Sequence, residues 1–336
     1  MGMILNISSA LISLTLIFST PLFAATQFMD KTLQGPKFSQ PGEAKGLVED
    51  TWLKKKVNYP KSVGKPDIFI SLDQHFYPAA KPIIESYAKT NGLKIVLHEG
   101  TCGTSAGMVF KKAADITGYC CPPALTDRLP GLVFHTVGII PNVLITHKEN
   151  PVKNISGSEA QKLFSGDISS WQKLADKRAK SYKYSVNPVT RLHCKIRPGH
   201  WRILLDNEDL HSPMIQNVST IPDMKDAVSA DPYSVGFIAR WLMTKKELQR
   251  LNMLNLNGID PDDHKAVAQG RYPLYNVLNV STWSGGGYSR KAEKLVQHLL
   301  KQQDKFDPKM YIIPANKLKA SGWLFNGNEL IGEPGS

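Results

Sequence analysis

A glycine- and hydroxyl-rich stretch between a predicted strand and a predicted helix most constrains what this chain can fold into. Residues 99–107 read EGTCGTSAG and follow an apolar run at 93–97. We predict a strand over the apolar run and a helix that begins at Ala106. A strand, a loop of small residues and a helix N-terminus form an anion cradle, because outward backbone N–H groups and the helix dipole both favour negative charge. A simple turn that caps a helix explains the same residues, so the sequence leaves both interpretations open.

A second dense loop follows shortly after the first. Residues 117–123 read TGYCCPP, and three of the chain's four cysteines lie in these two loops. The two loops therefore contain most of the thiol side chains of the protein.

The N-terminus resembles an export signal. Residues 1–25 contain no charged side chain, and an apolar run leads to PLFAA. We predict a signal peptide over 1–24 with cleavage after Ala24. The apolar run is shorter than a typical membrane-spanning helix. We therefore expect an exported, periplasmic protein, which carries an N-terminal arm over 25–65 with one short helix near 47–55.

The charge balance indicates an anionic partner. The chain has 41 basic and 29 acidic residues, for a formal net charge of +12. Such an excess favours nucleic acid, acidic surfaces or anionic ligands. Export and the scattered placement of the basic residues argue against nucleic acid, and we predict no nucleic-acid partner. Four cysteines in an exported chain predict one or two disulfides.

Beyond the arm, strand-like and helix-like segments alternate, which predicts an α/β protein. The segment Ser156-Gly157-Ser158-Glu159 is a capping box that begins one of the helices. The predicted strands cover 68–72, 93–97, 115–118, 133–140, 143–147, 186–194, 234–239 and 274–280, and the predicted helices cover 78–90, 106–114, 157–166, 222–230 and 289–303.

Three further segments carry a family resemblance. Residues 154–174 read NISGSEAQKLFSGDISSWQKL, residues 231–238 read DPYSVGFI, and residues 270–275 read GRYPLY. In order and spacing they are similar to segments of the type II periplasmic solute-binding proteins, specifically the phosphate-binding component of phosphate ABC importers. The resemblance covers about residues 67–300 and leaves out the arm and the C-terminal tail.

This resemblance implies a two-lobed α/β fold, the type II periplasmic-binding-protein fold, with a two-strand hinge and an interlobe cleft. Lobe one would comprise 66–142 plus 272–336, and lobe two 143–271. The protein would capture a small, phosphate-like oxyanion in the cleft for an ABC permease or a sensor. It would be a monomer without enzyme activity, cofactor or resident metal.

The resemblance also implies which loops line the cleft. They would follow the strands of both lobes at their carboxyl ends, where open α/β sheets bind ligands. The candidate ligand-binding residues are Gln74, His75, Thr101, Cys102, Gly103, Thr104, Ser105, Cys120, Cys121, Arg197, Gly199, His200 and Trp201. The fork of Arg197 suits bidentate contact with an oxyanion, although an ordinary surface salt bridge would also explain it.

The chain departs from the family pattern at several of these loops. The family has a carboxylate after the third strand, whereas this chain has no acid there until Asp127. In the lobe-two loop His200 and Trp201 stand where the family has hydroxyl side chains. Asp73 would repel an anion unless it points away. We therefore expect an oxyanion and leave its identity open.

The cysteines admit three interpretations within the implied fold. We predict a disulfide from Cys102 to either Cys120 or Cys121. The first alternative is a soft-metal or metalloid site built from Cys102, Cys120, Cys121 and Cys194, since soft thiolates select ions such as Cu(I). The second is a redox-active thiol pair.

Overall fold

The computed structural model describes residues 38–43, 50–191, 205 and 210–335. It confirms the predicted mixed α/β class, with a ten-stranded mixed sheet and two small two-stranded sheets in the described part of the chain. The helices are α1 (Asp50–Lys54), α2 (Tyr77–Asn91), α3 (Cys102–Phe110), α4 (Gly157–Ser165), α5 (Ile221–Ala230), α6 (His264–Ala268), α7 (Arg290–Lys301) and α8 (Ala315–Ala320). The strands are β1 (Ile68–Asp73), β2 (Ile95–Gly100), β3 (Ile116–Tyr119), β4 (Leu132–His147), β5 (Asn154–Ile155), β6 (Asn187–Thr190), β7 (Gln216–Asn217), β8 (Ser234–Ala239), β9 (Leu251–Met253), β10 (Asn255–Leu256), β11 (Tyr275–Trp283), β12 (Ile313–Pro314), β13 (Leu324–Asn326) and β14 (Glu329–Gly332).

The first half of the main sheet has the order β2-β1-β3-β11-β4. Strands β1, β2 and β3 are parallel to one another, and β11 runs antiparallel to β3 and β4. Every residue of β1 is buried, as expected for a parallel strand covered on both faces. Helices α2 and α7 cover this half with apolar side chains that include Ile84, Leu295 and Leu299.

The second half of the sheet continues from β4 through β8 and β6 to β7, and β9 also pairs with β4. Strand β8 covers the predicted range 234–239. The predicted capping box is confirmed: the Ser156 hydroxyl accepts from the Glu159 N–H, and the Glu159 carboxylate accepts from the Ser156 N–H. These bonds satisfy N–H groups that a helix N-terminus otherwise leaves unpaired.

Strand β4 runs through both halves of the sheet and corrects one prediction. We predicted two strands separated near Pro141, but the structure has one continuous strand. Proline lacks the N–H that a sheet interior requires. Here Pro141 lies where β4 changes partner, opposite Tyr275 of β11 and next to Asn142, which pairs with β8. A missing donor costs little at such a junction, so the strand continues.

The described part of the N-terminal arm packs on the first half of the sheet. Helix α1 lies inside the range predicted for a short helix. The buried Lys112 ammonium donates to the carbonyl oxygens of Trp52, Leu53 and Lys55 at 2.8, 3.1 and 2.8 Å. The same ammonium lies 4.4 Å from the centre of the Trp52 ring. One lysine therefore anchors α1.

A second contact anchors residues 38–43. The Ser39 carbonyl and hydroxyl accept from the Arg128 guanidinium, which also forms a buried, two-pronged ion pair with Glu329 of β14. The Ser39 hydroxyl in turn donates to the Pro123 carbonyl. Burial raises the pKa of Glu329, and Arg128 opposes this rise. The arm, the loop that follows β3 and the C-terminal hairpin are thus joined by one buried polar cluster.

Among the described residues, no helix has both the length and the apolar composition needed to cross a membrane.

Candidate functional site

Three chain segments converge at one edge of the sheet. The parallel strands β1, β2 and β3 end at Asp73, Gly100 and Tyr119. Because parallel neighbours end at the same sheet edge, the loops that follow them lie side by side, in the position where open α/β sheets bind ligands. The predicted convergence of the two cysteine-bearing loops is therefore present in the fold.

Helix α3 begins at Cys102, whereas we predicted that it begins at Ala106. Thr101 is the N-cap, with extended backbone, and its hydroxyl accepts from the Thr104 N–H at 3.2 Å. The Ser105 N–H donates to the Thr101 carbonyl. Threonine is a favoured N-cap residue, so the hydroxyl-rich stretch forms the first turn of the helix and not a loop before it.

The first turn of α3 leaves backbone donors available. Within the described part of the chain, no hydrogen bond occupies the N–H groups of Cys102 or Gly103. A Cβ added at the exposed Gly103 would meet only the Thr101 hydroxyl, at 3.6 Å. A helix N-terminus with unpaired N–H groups attracts anions, and this one is open to solvent at Gly103.

A buried carboxylate lies beside this first turn. Asp73 is only 2% exposed, and its Oδ1 accepts from the His75 N–H at 2.8 Å and lies 2.9 Å from His75 Nδ1. Its Oδ2 accepts from the Cys102 thiol at 3.4 Å. Burial favours a raised pKa for Asp73, but the His75 charge and the hydrogen bonds from His75 and Cys102 outweigh it and hold the pKa below its usual value. The negative charge is thus compensated from within the protein.

Three thiols complete the cluster. Cys102 Sγ lies 2.9 Å from Cys120 Sγ and accepts from the Cys120 N–H at 3.1 Å. The hydrogen bond with Cys120 raises the pKa of Cys102; burial and the Asp73 charge add to the rise, and a hydrogen bond with Cys121 opposes it. All three residues are thiols in the structure, so the predicted disulfide is not formed there. The ligand atoms of Asp73, Cys102 and Cys120 lie within 4.8 Å of one another.

Some of the remaining predicted site residues lie in the described part of the chain, and the others lie outside it. Gln74 donates its N–H to the Gly100 carbonyl, and the Thr104 hydroxyl lies 3.2 Å from that of Thr101. The Ser105 hydroxyl is buried and donates to the Ser71 carbonyl of β1. Outside the described residues lie Cys194, Arg197, Gly199, His200 and Trp201.

Sequence reasoning named Asp73 without its contacts and missed a second residue that shapes this site. Asp73 was expected to repel an anion unless it points away, and the structure shows that His75 and Cys102 donate to its two carboxylate oxygens. The signal was local, since His75 lies two residues after Asp73 at the end of an apolar strand. Asn279 of β11 donates its side-chain N–H to the Cys121 carbonyl at 3.0 Å. Nothing in the sequence near the loop points to that long-range contact.

Known proteins share this fold. A solved structure titled as a putative phosphate ABC transporter substrate-binding protein with bound phosphate, from Clostridium perfringens, is similar with a TM-score of 0.60 at 14% identity, over 74% of this chain and 99% of that one. A structure titled as an ABC-type phosphate transport receptor from Vibrio cholerae has a TM-score of 0.57 at 17% identity, with the same coverage of both chains. These likenesses confirm the predicted periplasmic-binding-protein fold.

A relative in sequence and a family model agree with the structural likeness. The chain is 26% identical over 229 residues to the phosphate-binding protein PstS of Bacillus subtilis (strain 168), across 66% of this chain and 73% of that protein. The model of the PBP superfamily domain matches residues 57–301. That range spans the three strand ends, α3 and both halves of the main sheet, and the chain therefore belongs to the PBP superfamily, the family that the sequence resemblance predicted.

Proposed function

We propose that this protein is an exported solute-binding protein that captures a small, phosphate-like oxyanion and presents it to an ABC permease or a sensor. The observation that carries the proposal is the solvent-open N-terminus of α3, where the N–H groups of Cys102 and Gly103 have no partner among the described residues. The family and the phosphate-binding names of its relatives support this choice of ligand. Because these relatives are receptors, we propose binding and delivery without catalysis.

The proposed site lies between two lobes, residues 66–142 plus 272–336 and residues 143–271. Helix α3 and the loops after β1 and β3 supply one wall. For the other lobe, the family resemblance assigns ligand contacts to Arg197, Gly199, His200 and Trp201. The anion contacts the α3 first turn, and the lobes close on it about β4 and the segment that leads into β11. The long strand β4, which pairs in both halves of the sheet, supports this arrangement.

Two features lower the electrostatic cost of placing an anion beside Asp73. Both carboxylate oxygens already accept hydrogen bonds from His75 and Cys102. The net charge of +12 also draws anions toward the protein as a whole. The proposed ligand therefore meets a helix dipole and backbone donors, and the one buried carboxylate beside them is compensated.

A matched pair of substitutions at Gly103 tests the proposal. Gly103→Asp places a negative charge on the first turn, where acidic residues favour the helix but repel a bound anion. Gly103→Asn has nearly the same size and no charge. We expect isothermal titration calorimetry with inorganic phosphate to show binding by the wild type and by the Asn variant, and at least about tenfold weaker binding by the Asp variant, a loss of about 1.4 kcal/mol.

Stability separates this result from a folding defect. The Asp variant should melt at or above the temperature of the Asn variant in the absence of phosphate, since the charge complements the helix N-terminus. If the wild type shows no heat with phosphate, arsenate or sulfate, the proposed function fails. Equal phosphate affinity in the Asp and Asn variants would show that the anion does not bind at the N-terminus of α3.

A further inference from the structure

Two thiols at the N-terminus of α3, those of Cys102 and Cys120, are placed to react with each other. Cys102 is the first residue of α3, and Cys120 is the first residue after β3. Their sulfur atoms lie 2.9 Å apart, and the Cys120 N–H donates to Cys102 Sγ, which fixes the orientation of the pair. Cys102 is buried, whereas Cys120 is partly exposed. One thiol is thus open to a reagent from solvent and the other lies directly behind it.

The contacts around the two sulfur atoms, and not their separation alone, favour a disulfide over a metal site. A disulfide bond is about 2.05 Å long, so the two sulfurs need to approach by about 0.9 Å. Two thiolates on one tetrahedral zinc ion, each at about 2.3 Å, lie about 3.8 Å apart, so a metal would have to separate them by a similar distance. The third possible metal ligand, Asp73, already accepts hydrogen bonds from His75 on one carboxylate oxygen and from Cys102 on the other. The Cys120 N–H bond holds the pair in the closer arrangement.

We propose that Cys102 and Cys120 form a reversible dithiol–disulfide pair, and that its oxidation strengthens oxyanion binding at the α3 N-terminus. The second half of this statement rests on the proposed function. Cys121 takes no part in this pair.

The chemistry is exchange with a disulfide-bonded donor in the oxidising compartment. The Cys120 thiolate attacks one donor sulfur, breaks the donor S–S bond and forms a mixed disulfide. The Cys102 thiolate then attacks Cys120 Sγ and releases the donor as a dithiol. One S–S bond breaks and one forms, and the two protons lost by the cysteines pass to the donor thiols.

The bridge would act directly on the proposed ligand contacts. It joins the first residue of α3 to the loop after β3, and both segments contain predicted contact residues. Covalent linkage restricts their relative motion before the ligand arrives, and preorganisation of this kind increases affinity by reducing the ordering cost of binding. Oxidation also removes the thiol hydrogen that Cys102 donates to Asp73 Oδ2, which leaves His75 to compensate the carboxylate. We expect the gain from preorganisation to exceed this loss.

The test uses the mature full-length chain after treatment with either oxidised glutathione or dithiothreitol. Alkylation under denaturing conditions followed by peptide mapping should show a bridge from Cys102 to Cys120 in the oxidised wild type. The same bridge should form in the Cys121→Ser variant and be absent from Cys102→Ser and Cys120→Ser. Calorimetry should show phosphate binding at least about threefold tighter in the oxidised wild type than in the reduced one.

The outcomes separate this inference from the proposed function. A map that joins Cys102 to Cys121, or either to Cys194, overturns the pairing, as does a stoichiometric metal in the reduced protein. Equal phosphate affinity in the two redox states overturns the coupling and leaves the proposed function standing. Absence of phosphate binding in both states defeats the proposed function and the coupling, and the mapped bridge still decides the pairing. The wild-type map requires no variant to fold.

Discussion

At the scale of single residues, Asp73 is the group on which the electrostatics of the site depend. Its carboxylate is buried, and it faces His75, Cys102 and Cys120. Its pKa lies below the usual value, because the charge and hydrogen bonds of His75 outweigh the effect of burial. A carboxyl whose folded pKa is depressed contributes stability above its unfolded pKa, about 3.9 for aspartate, and loses that contribution as the pH falls through the folded value.

We therefore expect the unfolding free energy of the Asp73→Asn variant to depend less on pH in the acidic range than that of the wild type. The wild type should lose more unfolding free energy than the variant between about pH 5 and the folded pKa, and the difference should be constant above that range. Urea unfolding from pH 3 to pH 7 measures this. Other acids contribute equally to both curves, so only the difference between the two proteins counts. Parallel curves would show that the pKa of Asp73 is not lowered in the folded protein.

The local features of this site were predictable, and its contacts were not. The family resemblance predicted the convergence of the loops around Cys102 and Cys120, and in the structure the ends of these parallel strands meet at one edge of the sheet. Sequence reasoning missed the start of α3, since Thr101 as an N-cap is also compatible with a longer loop. The hydrogen bond from the Cys102 thiol to Asp73 depends on packing between β1 and α3. No sequence pattern encodes a distance of that kind.

At the scale of elements, α1 depends on a single buried ammonium group. Lys112 adopts a positive φ of 52° at the end of α3, a conformation uncommon outside glycine. This places its Nζ among three carbonyl oxygens of 52–55. The short helix was predictable from sequence, but its anchor lies more than fifty residues later in the chain and had no local signal.

We expect Lys112→Met to release α1. The variant loses charge-assisted hydrogen bonds worth about 1.5–3 kcal/mol apiece in general, so a total loss of about 2–4 kcal/mol of unfolding free energy is reasonable once water solvates the carbonyls. Limited proteolysis should cut near 50–56 faster in the variant. Lys111→Met is the matched control, because the adjacent Lys111 is exposed. If both variants behave like the wild type, Lys112 is not the anchor.

At the scale of the whole molecule, β4 links the two halves of the sheet. Next to this strand the Arg240 guanidinium lies 4.1 Å from the centre of the Tyr311 ring, which joins the two proposed lobes close to the proposed hinge. The family resemblance indicated the overall architecture from three separated motifs. It did not show that Pro141 lies inside a continuous strand, because a proline normally interrupts a sheet and only the partner change makes it tolerable.

The central claim is that an oxyanion binds at the N-terminus of α3. A crystal structure of the protein without its predicted signal peptide, grown with phosphate, tests it most directly, and a parallel crystal grown with arsenate marks the site by anomalous scattering. We predict one tetrahedral anion within hydrogen-bond distance of the Cys102 and Gly103 N–H groups, with Arg197 completing its coordination. An anion bound elsewhere, with these two N–H groups facing solvent at saturating phosphate, would contradict the account.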